Sequence, residues 1–83
     1  MKNFREKVFA VVKKIPRGAT MTYKEVALCA GAPLAYRAVG NVLNTNYDLG
    51  IPCHRVIRSD RNIGGYNRGT EKKRRMLKKE RAI

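Results

Sequence analysis

Apolar residues near the start of the chain recur at helical spacing: Phe4, Val8, Val11, Val12 and Ile15. Steps of four, three, one and three residues place them on one face, which predicts a helix over residues 3–14. Asn3 can cap this helix, and Glu6 follows three residues later, as in a capping box. Pro16 and Gly18 then mark its end.

Two further helices are predicted in close succession. "TYKE" at residues 22–25 repeats the capping-box pattern, with Thr22 as the cap, and the helix should end at Gly31. Pro33 suits the first turn of the next helix, "LAYRAVGNVLNTN". Two short helices joined by a tight turn that contains glycine are typical of a helix-turn-helix unit. The apolar positions of the second of these helices are Leu34, Ala38, Val39 and Val42.

Small residues surround Arg37 in this second helix, at Ala35, Ala38 and Gly40. They would allow the surface of the helix to approach a binding partner closely. They would equally allow the helix to pack closely inside the domain, and the pattern alone does not separate these two interpretations.

The rest of the chain predicts a turn, a hairpin and a last helix. "RVIRSDRNIGGY" is typical of a short β-hairpin, with Ser59, Asp60 and Asn62 around its turn. Thr70 then caps a helix, "EKKRRMLKKERAI". The expected core contacts of this helix are Met76, Leu77 and Ile83. The predicted fold class is therefore mainly α with a small β-hairpin, a winged-helix-like helix-turn-helix domain.

Length and composition indicate one small globular domain. The chain has 83 residues, of which 43% are hydrophobic, enough for a single modest core. No apolar run approaches the ~20 residues of a transmembrane helix. The start lacks the apolar region of a signal peptide, so we expect a cytoplasmic protein with reduced cysteines. Two cysteines without a CxxC pair, and a single histidine, argue against a zinc site.

The net charge favours a polyanionic partner. Nineteen Lys and Arg residues against six Asp and Glu residues give a formal charge of +13. Nucleic acid is the leading candidate. A solvated basic surface without a specific partner is the alternative. A membrane surface is disfavoured, because no predicted helix combines a lysine-rich face with large exposed aromatic residues.

One segment, "GIPCHRVI", places a thiol beside the only imidazole of the chain. On a regular strand Cys53 and His54 would point to opposite faces. Pro52 restricts the backbone and favours a turn, which can direct both side chains into one pocket. Cys53 could then be a nucleophile activated by its neighbour, or an ordinary buried residue. For Cys29 we expect the second role, that of a small buried hydrophobic residue.

The segment "IPCHRVI", preceded by "YRAVGNVLNTN" and followed by "GGY", resembles the O6-alkylguanine-DNA alkyltransferases (methylated-DNA–protein-cysteine methyltransferases). The resemblance covers essentially all 83 residues and corresponds to the C-terminal domain of that family, which holds both the DNA-binding surface and the active site. It implies one domain over residues 1–83, without the family's usual N-terminal domain.

The resemblance implies a set of catalytic roles. Cys53 would accept the alkyl group from O6 of guanine, and His54 would take the thiol proton through a water molecule. Glu80, in the last helix, would orient His54, which gives a relay related to a catalytic triad. Tyr23 would donate a proton to the departing guanine. Each molecule would act once, without cofactor or metal.

The resemblance also implies how double-stranded DNA that contains O6-alkylguanine would be bound. Arg37 would fill the gap left by the flipped base, and the recognition helix would enter the minor groove. Bulk at the small positions would hold the helix off the groove. The implied DNA-contacting residues are Arg37, Ala35, Ala38, Gly40 and Thr22. The implied supporting and base-pocket residues are Asn46, Pro52, Arg55, Tyr66 and Asn67.

Two departures and two competing functions accompany this interpretation. The loop from Asn46 to Pro52 is about one residue shorter than the family pattern, and Asn67 lies where the family varies. An alkyltransferase-like damage sensor would bind DNA without repair, but such proteins usually replace the cysteine that Cys53 retains. A plain helix-turn-helix regulator would not need Cys53, His54, Tyr23 and Glu80 together. We therefore expect a monomeric repair protein.

Overall fold

The fold consists mainly of helices, and the sequence-based prediction of this class is confirmed. The computed structural model describes residues 3–46, 48, 50–58 and 69–83. The elements in this part of the chain are α1 (Phe4–Lys13), β1 (Met21–Thr22), α2 (Tyr23–Cys29), α3 (Tyr36–Asn44), a 3-10 turn (Cys53–Arg55), β2 (Val56–Ile57) and α4 (Thr70–Lys79).

Helix α1 agrees closely with its predicted bounds. The Asn3 side chain accepts a hydrogen bond from the backbone N–H of Glu6 at 2.9 Å, so Asn3 is the N-cap. Val8 and Val12 are fully buried, and Ile15 just beyond the helix is buried as well. The apolar face identified in the sequence is therefore the face that packs on the core.

Helices α2 and α3 pack against each other and form the predicted helix-turn-helix unit. Thr22 and Glu25 make the complete capping box, with distances of 3.0 and 3.1 Å. At the other end Gly31 has φ +82°. The backbone N–H of Ala32 donates to Ala27 O, which closes a Schellman motif and ends α2.

The predicted start of α3 is wrong. Pro33 and Leu34 lie ahead of the helix, which begins at Tyr36. A hydrogen bond from Ala35 N–H to Ala32 O forms a separate turn at this point, so the chain enters the helix later than the proline suggests. Leu34 is 90% exposed and is not a core residue; the buried face of α3 carries Val39 and Leu43.

The sheet joins two distant parts of the chain. β1 pairs with β2 in parallel, with Met21 opposite Val56 and Thr22 opposite Ile57. A hairpin would require Val56 and Ile57 to pair with an antiparallel strand next to them in the chain. Among the described residues, they pair instead with β1. The rest of the predicted hairpin, including its turn residues, lies outside the described residues. This pairing places β2, which directly follows the Cys53 turn, beside the strand that leads into α2.

Helix α4 differs from its prediction at both ends. Gly69 is the N-cap, with φ +103°, so Thr70 is the first helical residue and not the cap. Leu77 is fully buried and Met76 is half-buried, as expected, but Ile83 is 55% exposed. Lys73 is buried instead, with 0% exposure.

The C-terminus of α4 explains why Ile83 leaves the core. Arg81 adopts a left-handed conformation with φ 60°, which reverses the chain. Its N–H donates to Lys78 O at 3.0 Å, and the N–H of Ala82 donates to Leu77 O at 2.9 Å. These two bonds form a second Schellman motif, and they fix Glu80 as the C-cap residue of α4.

The core lies where α1, α2 and α3 meet, and it extends to the Cys53 turn. Cys53 and Val56 belong to the same cluster of buried residues as the three helices. The candidate nucleophile is thus held by the core itself. Within the described part of the chain, no helix is both long enough and apolar enough to cross a membrane.

The corrected core contacts of α4 can be tested by a matched pair of truncations. Leu77→Ala should lower the free energy of unfolding by ~2–5 kcal/mol, because it leaves a cavity in a fully buried position. Ile83→Ala should change it by about 0.5 kcal/mol or less, because this side chain is exposed. Urea unfolding followed by circular dichroism measures both. Equal losses for the two variants would contradict the assignment.

Candidate active site

The Cys-His pair lies on a turn, as the sequence predicted. Residues Cys53–Arg55 form a single 3-10 turn, closed by a hydrogen bond of 3.0 Å from Arg55 N–H to Pro52 O. Pro52 provides the N-cap position of this turn. Cys53 and His54 are 7% and 5% exposed, so the turn directs both side chains into the protein.

The His54 ring is held by a carboxylate at the C-terminal end of α4. Its Nε2 atom lies 2.9 Å from Glu80 Oε2. Arg55 holds the same carboxylate with two hydrogen bonds of 2.9 Å, from Nε to Oε1 and from Nη2 to Oε2. A third bond from Arg55 reaches Ile15 O at 2.9 Å. The turn, the C-cap of α4 and the end of α1 are joined in this way.

These contacts determine the charge of Glu80. The hydrogen bonds from Arg55 lower its pKa from 4.5 to about 2, against the opposing effect of burial and with a further contribution from His54. An ionised carboxylate can only accept, so the hydrogen between the two groups belongs to His54 Nε2. In the neutral imidazole Nδ1 then carries the lone pair that can accept a proton.

The sulfur of Cys53 receives a hydrogen bond from a buried amide. Asn46 Nδ2 donates to Cys53 Sγ at 2.9 Å. The orientation of the amide is fixed, because the backbone N–H of Asp48 donates to Asn46 Oδ1 at 3.0 Å. Asn46 Nδ2 also contacts Asp48 O at 3.3 Å. Asn46 thus ties the loop before the turn to the sulfur itself.

Lys73 is a member of the site that the sequence reasoning missed. Its Nζ donates to Val56 O at 2.6 Å, on the strand that follows the Cys-His turn. Burial lowers its pKa from 10.5 to about 8, while the negative charge available at Cys53 acts in the opposite direction. The sequence did contain a signal that Lys73 could face inward. Positions 73, 77 and 80 are spaced by four and three residues, so Lys73 lies on the same face of α4 as the apolar Leu77 and as Glu80.

Tyr23 is the first residue of α2 and directly follows β1. Burial raises the pKa of Tyr23, the charge at Cys53 raises it further, and Arg58 acts in the opposite direction. Its hydroxyl therefore keeps its proton at neutral pH. Lys73 Nζ lies 5.9 Å from the centroid of the Tyr23 ring, so a cation and a phenol share the surroundings of Cys53.

The residues expected to contact DNA lie along α2 and α3, with different exposures. Arg37 is exposed in the first turn of α3, whereas Ala35 and Ala38 are half-buried. A Cβ added at Gly40 would lie 3.9 Å from Tyr23 Cε1, so this glycine faces the protein. The side chain of Thr22 caps α2. Of the two interpretations of the small residues, internal packing is the one observed at Gly40.

Other expectations are corrected or lie beyond the described part. Tyr66 and Asn67 are outside the described residues. Cys29, the last residue of α2, is exposed and not buried. It borders a mainly apolar cavity of about 330 Å³. Across residues 3–46, 48, 50–58 and 69–83, no three His, Cys, Asp or Glu side chains are grouped as a metal ion would require.

Sequence comparison identifies relatives along nearly the whole chain. The family model "6-O-methylguanine DNA methyltransferase, DNA binding domain" matches residues 3–82. The methylated-DNA–protein-cysteine methyltransferase of Methanothermobacter thermautotrophicus is 49% identical over 78 residues, which are 93% of this chain and 43% of the relative. The Saccharolobus islandicus protein of that name is 50% identical, over 93% of this chain and 50% of its own length. The chain spans about half the length of these relatives.

Structural comparison gives the same result. The structure of Mycobacterium tuberculosis OGT in complex with DNA has a TM-score of 0.91 at 37% identity, and covers 99% of this chain and 52% of that protein. S. pombe Atl1, in complex with damaged DNA containing O6-carboxymethylguanine, has a TM-score of 0.86 at 32% identity. It covers 96% of this chain and 79% of that protein.

The family model matches nearly all of the sequence, and the fold matches solved structures of the family closely. The site itself contains a buried cysteine that accepts an amide hydrogen bond, on the same turn as a histidine paired with a glutamate. The chain belongs to the 6-O-methylguanine DNA methyltransferase family and contains its DNA-binding domain.

Proposed function

We propose that this protein repairs DNA by transferring an alkyl group from O6 of guanine to Cys53, once per molecule. The observation that carries the proposal is the environment of Cys53: a buried sulfur that accepts an amide hydrogen bond, on the same turn as an imidazole held by a carboxylate. We further propose that residues 1–83 form a single DNA-binding and active-site unit, which acts as a monomer in the cytoplasm.

Activation of the nucleophile follows from the groups around the sulfur. A thiolate is a far better nucleophile than a thiol. The hydrogen bond from Asn46 Nδ2 strengthens as negative charge develops on Sγ. The buried Lys73 places a positive charge where it interacts with Cys53. Both groups therefore favour the thiolate in a site from which water is largely excluded.

The proton of the thiol leaves towards His54. Glu80 holds the Nε2–H, so the lone pair of Nδ1 is the acceptor, and a water molecule would link it to the sulfur. Glu80 is a positioning residue in this scheme, because it contacts His54 and not the substrate. It also stabilises the imidazolium that forms when the proton arrives.

In the transfer step, the alkyl carbon exchanges its bond to O6 for a bond to sulfur. The bond from sulfur to the alkyl carbon forms while the bond from that carbon to O6 breaks, and the electron pair of the broken bond goes to the guanine. Tyr23 provides a proton to the departing base, since its hydroxyl remains protonated at neutral pH. The product is a thioether, which has no easy leaving group, so Cys53 is used only once and the reaction requires no cofactor.

DNA binding relies on the basic surface and on Arg37. A guanine inside a duplex cannot reach a buried sulfur, so the base must be flipped out, at a cost of a few kcal/mol. Arg37 is exposed in the first turn of α3 and would fill the resulting gap. The formal charge of +13 would attract the phosphates on both sides.

A second candidate function is damage sensing without repair. The similarity to S. pombe Atl1 bound to damaged DNA supports it. The chemistry around Cys53 argues for repair, because a sensor needs neither a hydrogen-bonded sulfur nor the His54–Glu80 pair. The two candidates differ in one measurable product, the alkylated protein.

The nucleophile can be identified by intact-protein mass spectrometry after incubation with duplex DNA containing O6-methylguanine. Wild type and Cys29→Ala should gain one methyl group, and Cys53→Ala should gain none while it still binds the DNA. Cys29→Ala is the matched control, because it removes the other cysteine. An unmodified wild type that binds damaged DNA would favour the sensor, and an adduct on Cys29 would contradict the assignment of Cys53.

The role of Arg37 can be separated from simple charge. Arg37→Ala should slow single-turnover transfer from duplex DNA at least ~10-fold, while transfer from the free base O6-alkylguanine should stay near wild type, because only the duplex has a gap to fill. Arg75→Ala on α4 removes the same charge and should leave the ratio of the two rates unchanged. Equal losses on both substrates for Arg37→Ala would exclude the gap-filling role.

The electrostatic contribution to DNA binding can be measured from the salt dependence of Kd. If ~5–8 phosphates are neutralised, a plot of log Kd against log salt concentration should have a slope of about 4 to 7 in magnitude. A slope near zero would show that the basic surface serves another purpose.

The role of Glu80 predicts a specific pH dependence. Its pKa is depressed from 4.5 to about 2 in the folded protein, so its stabilising contribution is complete above about pH 4.5 and is lost as the pH falls towards 2. At pH 7 Glu80→Gln should therefore lower the free energy of unfolding by about 3 kcal/mol, and the difference from wild type should shrink in acid. Urea unfolding at several pH values measures this effect.

The same variant tests the relay in the reaction. With Glu80→Gln the imidazole loses its carboxylate, so transfer should be slower and should require higher pH in single-turnover measurements. Glu71→Gln is the matched control, because Glu71 is an exposed carboxylate that pairs with Arg74 on the same helix. A rate profile and a stability equal to those of the control would exclude Glu80 from the site.

A further inference from the structure

Two large apolar side chains are exposed at the point where the chain enters α3. Leu34 is 90% exposed and Tyr36 is 38% exposed, and they immediately precede Arg37. The described part of the chain has four large exposed apolar residues, and two of them lie within these three positions. The other two are Leu28 and Ile83. This cluster lies beside the residue that is proposed to enter the DNA.

The backbone keeps Leu34 away from the core. Leu34 precedes the N-cap residue Ala35, a position whose apolar side chain often packs on the fourth residue of the helix. In α3 that fourth residue is Val39, which is 0% exposed and belongs to the core. Leu34 does not cover it, because the turn closed by Ala35 N–H and Ala32 O directs the side chain outward.

Tyr36 is held in place by a neighbouring cation. Lys24 Nζ, on α2, lies 5.4 Å from the centroid of the Tyr36 ring. The contact links the two helices of the helix-turn-helix unit across their outer surface. Lys24 and Arg37 are both exposed, so the apolar cluster lies between two positive charges.

We propose that Leu34 and Tyr36 form an apolar ridge, next to Arg37, that packs on the sugar faces of the DNA groove entered by α3. The inference rests on the proposed function. A groove wall presents apolar deoxyribose edges beneath charged phosphates, and an apolar ridge flanked by Lys24 and Arg37 complements both. The +13 charge of the chain selects DNA over another copy of the same basic protein as the occupant of this surface.

The ridge would contribute to affinity in a way that can be distinguished from the basic residues. A contact between apolar groups releases no counterions, so its removal weakens binding without changing the dependence on salt. Removal of a cation that contacts a phosphate reduces the salt slope by about 1. The two kinds of contact therefore differ in slope as well as in affinity.

The test measures binding to a duplex by fluorescence anisotropy at several salt concentrations. Leu34→Ala and Tyr36→Ala should each weaken binding ~5-fold to 10-fold, equivalent to about 1 to 1.4 kcal/mol, with the salt slope of wild type. Tyr36→Phe keeps the ring and should bind like wild type. Ile83→Ala is the matched control, an exposed apolar residue beyond α4 that should not affect binding. Thermal unfolding of each variant checks that the fold is intact.

The outcomes separate the ridge from the proposed function. A wild type that neither binds the duplex nor becomes alkylated would overturn the proposed function and the ridge with it. A wild type that does both, with Leu34→Ala and Tyr36→Ala binding within twofold of it, would overturn the ridge alone. A salt slope changed by either variant would also overturn it. Concentration-dependent dimers in sedimentation experiments, lost in Leu34→Ala, would identify a second copy as the occupant and overturn the assignment to DNA.

Discussion

The carboxylate of Glu80 is the contact on which the arrangement of the site depends. It receives one hydrogen bond from His54 and two from Arg55, and it lies at the end of a helix that starts beyond the Cys-His turn. Arg55 continues the connection to Ile15 O, at the end of α1. Loss of one partner from a buried ion pair costs about 3–5 kcal/mol, because the other charge is left uncompensated. The group that orients the imidazole therefore also joins α4 to the core.

The sequence predicted those parts of the fold that short-range chemistry determines. Asn3 and Thr22 cap their helices as expected, because a side-chain oxygen and the backbone N–H groups it binds lie within three residues of each other. The start of α3 and the position of Ile83 were wrong. Both depend on backbone turns, one at Ala35 and one at the left-handed Arg81, and apolar periodicity carries no information about such turns.

The candidate site shows the same division. The turn at Cys53 follows from Pro52 and was predicted from the residues. The pairing of His54 with Glu80 joins positions far apart in the chain, so only the family resemblance implied it. Neither the residue pattern nor the family resemblance predicted a role for Lys73, because a lysine on a basic helix is ordinarily solvated. It is buried here because its long side chain reaches Val56 O, an acceptor 17 residues away in the chain that only the folded structure brings close to α4.

The Schellman motif at the end of α4 places Glu80 at the C-cap, and this has an electrostatic consequence. The aligned peptide dipoles of a helix leave a partial negative charge at its C-terminus, which repels a carboxylate and attracts a cation. Arg55 offsets the repulsion of Glu80. In the proposed reaction, the same field would stabilise a proton received by His54. This contribution comes from the backbone of α4, so it remains when the Glu80 or Arg55 side chain is replaced and the helix stays intact.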